Sequence, residues 1–368
     1  MLKFQALTVR EVRPEAEDAV RVILDVPPDL REMFRAQPGA HLVLRGQLGA
    51  DDVRRTYSLT GAAGEQPLTL GVRVHPEGRF SRFVAGSLRA GDRLEAMPPN
   101  GSLGAALTQA AQAPGGATLV AFAAGCGLTP ILSIVSTALR DQPGTRVILF
   151  YGNRSSARTM FLEDLQALKD RYLARLALHF VMSEEPQDVA LLNGRIDGPK
   201  VRELAGQLFE PRAVAAYFLC GPGTMIEEVT AMLRALGVEA ARVHSEHFAI
   251  ATTAAAPAAQ GTDTARVAHA AAGAGESQVT VVMDGRRRSF TMRTGAETIL
   301  DAAAQAGFDL PYSCRAGVCS TCRTRLTRGE VEMQQNYALE DWELERGFIL
   351  ACQSRARSPE LELDYDAK

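Results

Sequence analysis

The sequence near the carboxyl end reads Cys314-Arg315-Ala316-Gly317-Val318-Cys319-Ser320-Thr321-Cys322, and a fourth cysteine, Cys352, follows after 29 further residues. This C-x4-C-x2-C…C spacing is that of one class of [2Fe–2S] site, in which all four ligands are thiolates. The small residues between the cysteines let backbone N–H groups approach sulfur atoms closely. A structural zinc site is the alternative, but such sites usually pair their ligands at short spacings on both sides. The pattern therefore predicts Cys314, Cys319, Cys322 and Cys352 as cluster ligands.

Length and composition narrow the class of protein. A chain of 368 residues predicts two to three domains, and a net charge of −3 argues against a nucleic-acid partner. The uncharged stretch from Ala96 to Leu139 is interrupted by glycine and proline, so we expect no membrane partner. The amino terminus lacks the apolar core of a signal peptide, and ligand thiols require a reducing compartment. These features together predict a cytoplasmic location.

Residues 1–110 contain many short segments of β-branched and aromatic residues separated by turn residues. Such spacing predicts a small antiparallel β-barrel. The sequence also predicts one helix over Ser81–Leu88, with Ser81 as its N-cap.

Two motifs in this part suit a flavin. In Arg55-Thr56-Tyr57-Ser58 the tyrosine ring can stack on a flavin ring and the arginine can neutralise phosphate. The Ser58 hydroxyl can donate a hydrogen bond near the reactive ring nitrogen, which makes it a candidate catalytic residue. In Gly78-Arg79-Phe80-Ser81 a glycine turn opens a helix, whose free N–H groups suit a pyrophosphate. We therefore interpret residues 1–110 as a flavin-binding domain.

Residues 111–250 alternate strand and helix patterns, which predicts a doubly wound parallel sheet. After the apolar run Ala117–Ala123 comes Gly125-Cys126-Gly127-Leu128-Thr129-Pro130, with Thr129 as the expected cap of a helix that begins at Pro130. Gly125 and Gly127 allow close backbone approach to a pyrophosphate at that helix terminus. A helix is also predicted over Ala157–Lys169. We interpret this part as a nicotinamide-nucleotide domain.

Two further segments bear on the nucleotide. Asn153-Arg154-Ser155 and Arg158 follow the second strand, where arginine suits a ribose 2′-phosphate, so NADPH is favoured over NADH. Cys220-Gly221-Pro222-Gly223-Thr224-Met225 follows the last strand, where Cys220 can lie against a nicotinamide ring. A small buried thiol is the alternative role for Cys220.

Residues 251–275 are rich in alanine and lack a hydrophobic period, which predicts a flexible linker. Residues 276–368 begin with a hairpin at Asp284-Gly285, continue into a helix, and then reach the cysteines. This order is typical of an α+β β-grasp domain. Asp341, Glu343 and Glu345 form either a docking site for a partner or a solvated acidic face.

The three parts together suggest an electron path. A nicotinamide delivers two electrons as hydride, an iron–sulfur cluster accepts one at a time, and a flavin can do both. The six histidines show neither the Cys-x-His pairing of a Rieske site nor the Glu-x-x-His motif of a di-iron bundle. Any oxygen chemistry therefore belongs to a separate protein. A redox-sensing carrier is the alternative.

The motifs given above resemble those of the ferredoxin–NADP⁺ reductase superfamily fused to a C-terminal plant-type ferredoxin domain, over nearly the whole chain. The resemblance implies FAD at Arg55–Ser58 and Gly78–Ser81, with the backbone of Val72-Arg73-Val74 flanking the flavin ring. It implies NADPH at Gly125, Gly127, Thr129, Pro130, Cys220, Gly221, Pro222 and Met225. From Ser245-Glu246-His247-Phe248 it implies Glu246 near the hydride path and Phe248 as an aromatic shield of the flavin.

Within this superfamily, three segments look like the reductase subunits of phenylacetyl-CoA epoxidases: Val331-Glu332-Met333, Asn336-Tyr337-Ala338-Leu339 and Cys352-Gln353-Ser354. That likeness implies a di-iron oxygenase as acceptor, in phenylacetate degradation. Rieske dioxygenases and other multicomponent hydroxylases are the alternative acceptors. Phthalate-type reductases share the domain order but use FMN, and the Gly78–Ser81 helix opening looks more like the FAD group.

Overall fold

The computed structural model describes residues 3–107, 116–248 and 275–367. The chain divides into two compact units, one spanning Leu2–Phe248 and the other lying within Ala249–Lys368. The predicted linker at residues 251–275 falls outside the described residues except for its last position, as does the predicted boundary at residue 110. These domain boundaries stay predictions.

The first unit begins with a six-stranded antiparallel sheet in the order β4-β3-β6-β1-β2-β5. Its edge strands β4 and β5 meet at an isolated antiparallel bridge between Leu59 and Leu70. Alternate side chains along the strands, such as Leu7 and Val9 of β1, enter a common apolar core. The strands are β1 Gln5–Ala16, β2 Ala19–Asp25, β3 His41–Leu48, β4 Asp51–Ser58, β5 Leu68–Arg73 and β6 Arg93–Ala96.

Helix α1 packs beside this sheet and spans Arg79–Gly86. The prediction that Ser81 caps it is wrong, because the helix begins two residues earlier, after the extended residue Gly78. The Ser81 hydroxyl instead accepts a hydrogen bond from the His75 N–H (3.2 Å) and donates one to the Gly78 carbonyl (3.1 Å). Ser81 therefore closes the glycine turn from inside the helix.

The same unit continues into a five-stranded parallel sheet in the order β11-β10-β7-β8-β9, which reverses its direction of growth at β7. Such a reversal is the topological switch point of a doubly wound sheet, where ligands bind. Its strands are β7 Thr118–Ala124, β8 Arg146–Asn153, β9 Leu176–Met182, β10 Ala216–Gly221 and β11 Val243–His247. The connecting helices are α2 Leu128–Asp141, α3 Leu162–Arg171, α4 Gly198–Leu204 and α5 Gly223–Ala235.

Two helix starts differ from prediction. A 3-10 turn over Gly125–Gly127 leads directly into α2 at Leu128, so Thr129 is not the cap; its hydroxyl donates to the Cys126 carbonyl at 2.9 Å. Helix α3 begins at Leu162 rather than Ala157, because Phe161 adopts a left-handed conformation with a φ of 56°.

The second unit contains a five-stranded sheet in the order β13-β12-β18-β14-β16, in which only β12 and β18 pair in parallel. Asp284 and Gly285 both have positive φ in the first hairpin, as its turn requires. The sheet packs against α6, whose Ile299, Leu300 and Ala303 are buried. The elements are β12 Glu276–Met283, β13 Arg286–Arg293, α6 Ile299–Gln305, β14 Arg323–Arg328, β15 Val331–Met333, α7 Asp341–Glu345, β16 Phe348–Leu350, β17 Ser354–Ala356 and β18 Glu360–Asp364.

Across the three described ranges, none of the helices combines the length and apolar character needed to cross a membrane.

Candidate functional site

The switch point of the parallel sheet is lined by backbone. A Cβ atom built on Gly127 would lie 2.1 Å from the Cys220 carbonyl oxygen and 2.8 Å from the Gly221 nitrogen. The glycine turn after β7 therefore packs directly on the end of β10, with no room for a side chain. This contact brings the two predicted nucleotide motifs together at the carboxyl ends of adjacent strands.

Helix α5 starts at this same edge, immediately after Pro222. Its first turn presents backbone N–H groups and the positive end of the helix dipole, which is the usual setting for a pyrophosphate. Met225 in that turn is buried, and its methyl group occupies the space that a side chain on Gly221 would need. Thr129 and Pro130 are also buried, at the start of α2. The glycine turn before α2 and the start of α5 thus lie at the same edge of the sheet.

Ser58 is the residue of the antiparallel sheet whose surroundings best suit a bound ligand. It lies at the end of β4 and is buried, yet its hydroxyl has no hydrogen-bond partner within the described ranges. An unpaired buried hydroxyl costs about 1–3 kcal/mol, so such atoms usually face a ligand or water. A polar ring atom of a flavin is a chemically suitable acceptor for this hydroxyl.

The other flavin candidates lie on β4 and at the start of α1. The Tyr57 ring stacks on Phe80 of α1 with centroids 5.9 Å apart, and burial raises the pKa of its phenol, which keeps it neutral. Arg55 is exposed, whereas Arg79 forms an ion pair with Asp51 at 2.8 Å. The sheet and α1 therefore offer an apolar wall with cationic groups at its edge.

The flavin and nucleotide candidates meet through one contact that sequence reasoning missed. His41 of β3 pairs in register with Ser58, and its Nδ1 lies 3.7 Å from Glu246 Oε1. Glu246 in turn pairs in register with Cys220 across β10 and β11. Ser58, Glu246 and Cys220 are therefore linked through His41, which is buried. No motif marked His41, because only strand register places it there.

The Cys220 side chain is completely buried. Burial raises the pKa of its thiol well above the ordinary value, and the neighbouring Glu246 carboxylate and Cys126 thiol add to the effect. Cys220 is therefore a neutral thiol at physiological pH. Phe248, the last described residue of this unit, is half-buried and packs against the core beneath the parallel sheet.

The loop after β8, here called the arginine loop, carries Arg154 and Arg158, and these two residues make different contacts. Arg154 is exposed, and its nearest acidic partner is Glu184 at 3.5 Å. Arg158 instead forms an ion pair with Asp18 in the β1–β2 turn. Asn153 is buried, and its carbonyl accepts a hydrogen bond from the Ser183 N–H at 3.0 Å. The Ser155 carbonyl accepts one from the Thr159 hydroxyl at 3.1 Å.

Asp18 also binds Arg73, which donates a second hydrogen bond to the Arg158 carbonyl at 3.0 Å. The Val74 N–H donates to the Asp18 carbonyl at 2.7 Å, while the Val72 side chain lies in the core of the antiparallel sheet. Asp18, Arg73 and Arg158 thus fasten the antiparallel sheet to the arginine loop. Within the loop, the structure leaves Arg154 directed to solvent and holds Arg158 against the sheet.

The four predicted cluster ligands converge in the second unit. The Cys314 N–H donates to Cys319 Sγ at 3.5 Å, and the Ala316 N–H donates to Cys314 Sγ at 3.4 Å. At Cys352, a hydrogen bond with the Cys314 thiol lowers the pKa, but contact with Cys322 and burial outweigh it and raise the pKa to about 12. Within the described ranges no three His, Cys, Asp or Glu side chains form a site for a single metal ion. Four thiols, with backbone N–H donors to two of the sulfur atoms, fit the ligand set of a [2Fe–2S] cluster.

Of the three acidic residues predicted to form a docking site or a solvated face, only two are exposed. Glu343 is buried, accepts a hydrogen bond from Arg323, and receives the Glu340 N–H at 3.0 Å in a capping box at the start of α7. It is therefore a structural residue, and for Glu343 both predicted alternatives, a docking site and a solvated face, are wrong. Asp341 and Glu345 remain exposed on α7.

Comparisons with known proteins agree with this arrangement. The family profile described as "2Fe-2S iron-sulfur cluster binding domain" matches residues 281–357, and "Oxidoreductase NAD-binding domain" matches residues 122–231. The chain is 38% identical to a subunit of the 1,2-phenylacetyl-CoA epoxidase of Escherichia coli (strain K12), over 100% of this chain and 99% of that protein. It is 30% identical to "3-ketosteroid-9-alpha-monooxygenase, ferredoxin reductase component" of Rhodococcus rhodochrous, over 98% of this chain and 96% of that protein.

Among solved structures, phthalate dioxygenase reductase matches with a TM-score of 0.55 and 24% identity, over 98% of both chains, and so supports the fold. With the matched profiles, these relatives show an oxidoreductase that uses FAD, a pyridine nucleotide and a [2Fe–2S] cluster. The chain belongs to the ferredoxin–NADP⁺ reductase superfamily, in the branch that carries a C-terminal [2Fe–2S] ferredoxin domain.

Proposed function

We propose that this protein is the NADPH-dependent reductase component of a phenylacetyl-CoA 1,2-epoxidase, which passes electrons from NADPH through FAD and the [2Fe–2S] cluster to a separate di-iron oxygenase. The observation that carries the proposal is the full-length 38% identity to a phenylacetyl-CoA epoxidase component, together with four converging thiols in the expected place. Reduced thiols are needed as ligands, which supports a cytoplasmic location.

The flavin would occupy the open side of the antiparallel sheet, which we interpret as the β-barrel of a flavin domain. The unpaired Ser58 hydroxyl supports this assignment, because a buried hydroxyl without a protein partner is free to donate to a polar atom of the flavin ring. The α1 terminus at Gly78 would receive the pyrophosphate, with Arg55 as a counter-charge. FAD supplies the conversion of a two-electron hydride into single electrons.

Cys220 and Glu246 would hold the nicotinamide against the flavin. The register pairing of these residues and the contact from Glu246 to His41 support this assignment, since His41 also pairs in register with Ser58. The buried, neutral Cys220 thiol would contact the ring by packing, without acting as a nucleophile. Phe248 would cover the flavin until the nucleotide arrives.

Arg154 is the residue that we assign to the 2′-phosphate of NADPH. Its exposure supports the assignment, because a bound phosphate could replace the weak 3.5 Å contact with Glu184. Arg158 is a poorer candidate than the sequence indicated, since a phosphate would have to compete with Asp18 for it. Because the Glu184 carboxylate partly offsets the charge of Arg154, we expect weaker discrimination between NADPH and NADH than an unpaired arginine would give.

The oxygenase would dock beside the cluster loop, on a surface that includes the aromatic side chains of Tyr337 and Trp342. Both side chains are exposed, and the Tyr337 N–H donates to the Gly317 carbonyl of the cluster loop at 3.0 Å. Exposed Asp341 and Glu345 flank Trp342, so the matching surface on the oxygenase would be an apolar depression with a basic rim.

Replacing Trp342 tests this surface. Trp342→Ala should lower the rate of electron transfer to the epoxidase oxygenase component at least about tenfold, as expected for a tryptophan hot spot, while iron content stays normal. Leu173→Ala, which removes a still more exposed apolar side chain from the first unit, is the control. Equal effects of the two variants would contradict the assignment.

Loss of one cluster ligand tests the order of the carriers. Cys319→Ala should abolish the cluster and electron transfer to the oxygenase, while the enzyme keeps FAD and still reduces ferricyanide with NADPH. Thr327→Ala, an exposed position of β14, should retain all activities. If Cys319→Ala holds FAD but loses ferricyanide reduction as well, the proposed order of carriers is wrong.

A reductase for another oxygenase is the second candidate. The 30% full-length identity to a 3-ketosteroid monooxygenase reductase component favours it. The distinguishing measurement is the rate of oxygenase reduction with each type of oxygenase component. The epoxidase component should be reduced faster, and the reverse order would favour the second candidate.

A further inference from the structure

Gln353 directly follows the fourth cluster ligand, and its side chain is buried beneath the loop that carries the other three. Its amide nitrogen donates to the Arg315 carbonyl of that loop at 2.9 Å. The same nitrogen lies 3.1 Å from the Cys352 carbonyl and 3.6 Å from Cys352 Sγ. With 8% of its surface exposed, this residue is shielded from competing water.

The surrounding backbone is shaped to hold this side chain. Gly317, at the centre of the loop, has a φ of +74°, and a Cβ built on it would lie 3.2 Å from Gln353 Cγ. The Gln353 backbone is fixed on both sides: its N–H donates to the Leu350 carbonyl, and its carbonyl accepts from the Gln334 N–H, each at 2.9 Å. Gln353 therefore joins the ligand loop to the strand end that carries Cys352.

We propose that Gln353 is a positioning residue that fixes the cluster loop to the fourth ligand. Through the hydrogen bond from its amide nitrogen to Cys352 Sγ, it also raises the reduction potential of the cluster. The proposal rests on the proposed function only in requiring that the four cysteines hold a [2Fe–2S] cluster.

The direction of the effect follows from charge. A ligating thiolate carries negative charge, and this charge grows when the cluster accepts an electron. A buried N–H donor therefore stabilises the reduced form more than the oxidised form. A side chain of similar length without an N–H group should shift the equilibrium towards the oxidised cluster.

Gln353→Met makes this change, because methionine is unbranched, has a similar length and donates no hydrogen bond. In the full-length protein we expect a roughly tenfold fall in the equilibrium constant for one-electron reduction, which corresponds to a potential about 59 mV more negative. The measurement is a redox titration followed by electron paramagnetic resonance, with iron and sulfide contents determined in parallel. Gln335→Leu, at an exposed glutamine of the same unit, should leave the potential unchanged.

The outcomes separate the proposal from the proposed function. If the wild-type protein contains no [2Fe–2S] signal, the proposed function fails, whatever Gln353 does. If Gln353→Met keeps its iron and titrates at the wild-type potential, the role of Gln353 is refuted. If Gln353→Met loses its iron, Gln353→Leu decides, because leucine also fills the buried space and donates no hydrogen bond. A Gln353→Leu potential equal to or above the wild-type value also refutes the role.

Discussion

Substitution of Gly127 by alanine should disturb the nucleotide site through a single added methyl group. The new Cβ would lie 2.1 Å from the Cys220 oxygen and 2.4 Å from the Cys220 carbonyl carbon, where ordinary contact begins at 3.4 Å. The turn must therefore move by about 1.3 Å, which is 3.4 Å less 2.1 Å. Gly127 has a φ of −61°, which alanine adopts freely, so steric overlap alone causes the change.

Both groups in this overlap are backbone, so no side-chain rotation can relieve it. Overpacking of this kind costs about 1–3 kcal/mol, and we expect Gly127→Ala to lose about 2 kcal/mol of unfolding free energy. A misplacement of about 1 Å also slows a bound reaction about 100-fold. Reduction of FAD by NADPH should therefore slow by about that factor.

Two measurements check this prediction. Urea titration followed by release of FAD fluorescence reports the stability of the first unit, and stopped-flow bleaching of the flavin reports hydride transfer. Gly86→Ala is the matched control, because it adds the same methyl group at the end of α1, where no atom lies within 4 Å. That control should change unfolding free energy by no more than about 1 kcal/mol. If Gly127→Ala matches the control in both assays, the close packing of the turn on β10 is not important for stability or catalysis.

Three other perturbations follow from the same structure. Arg154→Ala should raise KM for NADPH about tenfold and leave KM for NADH nearly unchanged, since only NADPH carries the 2′-phosphate. An equal rise in KM for both nucleotides would show that Arg154 does not bind the 2′-phosphate. Asp18→Asn should cost about 1–3 kcal/mol of unfolding free energy, because it breaks part-buried ion pairs to Arg73 and Arg158. Asp141→Asn, at an exposed pair, should cost under about 1 kcal/mol by comparison. Iodoacetamide at a pH of about 7.5 should leave Cys220 unmodified in the folded protein and alkylate it in urea. The reason is that burial raises the pKa of the thiol, whereas the thiolate is the reactive form. Rapid labelling of Cys220 in the native protein, detected by mass spectrometry, would contradict this.

Features that depend on short stretches of sequence were predictable. The cysteine spacing, the glycine turns and the Asp284-Gly285 hairpin each require a particular residue type at a particular offset. The first residue of each helix was harder to predict from the sequence, because a glycine can end a turn and begin a helix equally well. At Ser81 and Thr129 the hydroxyl group serves the preceding turn from inside the helix, so both residues looked like caps.

Roles set by distant partners were not predictable. The sequence predicts Arg158 as a phosphate ligand, but in the structure it binds Asp18, which lies 140 positions away. The sequence predicts Glu343 as a surface acid, but in the structure it accepts a hydrogen bond from Arg323. His41 lies in no recognisable motif, and only the register of β3 with β4 brings it next to Ser58. Such contacts belong to tertiary structure, which a single sequence does not display.

The most direct test of the central claim is reconstitution of the purified reductase with the oxygenase component of phenylacetyl-CoA epoxidase. We predict that phenylacetyl-CoA is converted to its epoxide only when NADPH, oxygen, the reductase and the oxygenase component are all present. NADPH oxidation should match product formation, and Cys319→Ala should give no product. If the wild-type reductase retains FAD and cluster, reduces ferricyanide rapidly and still yields no epoxide, this protein is not an epoxidase reductase.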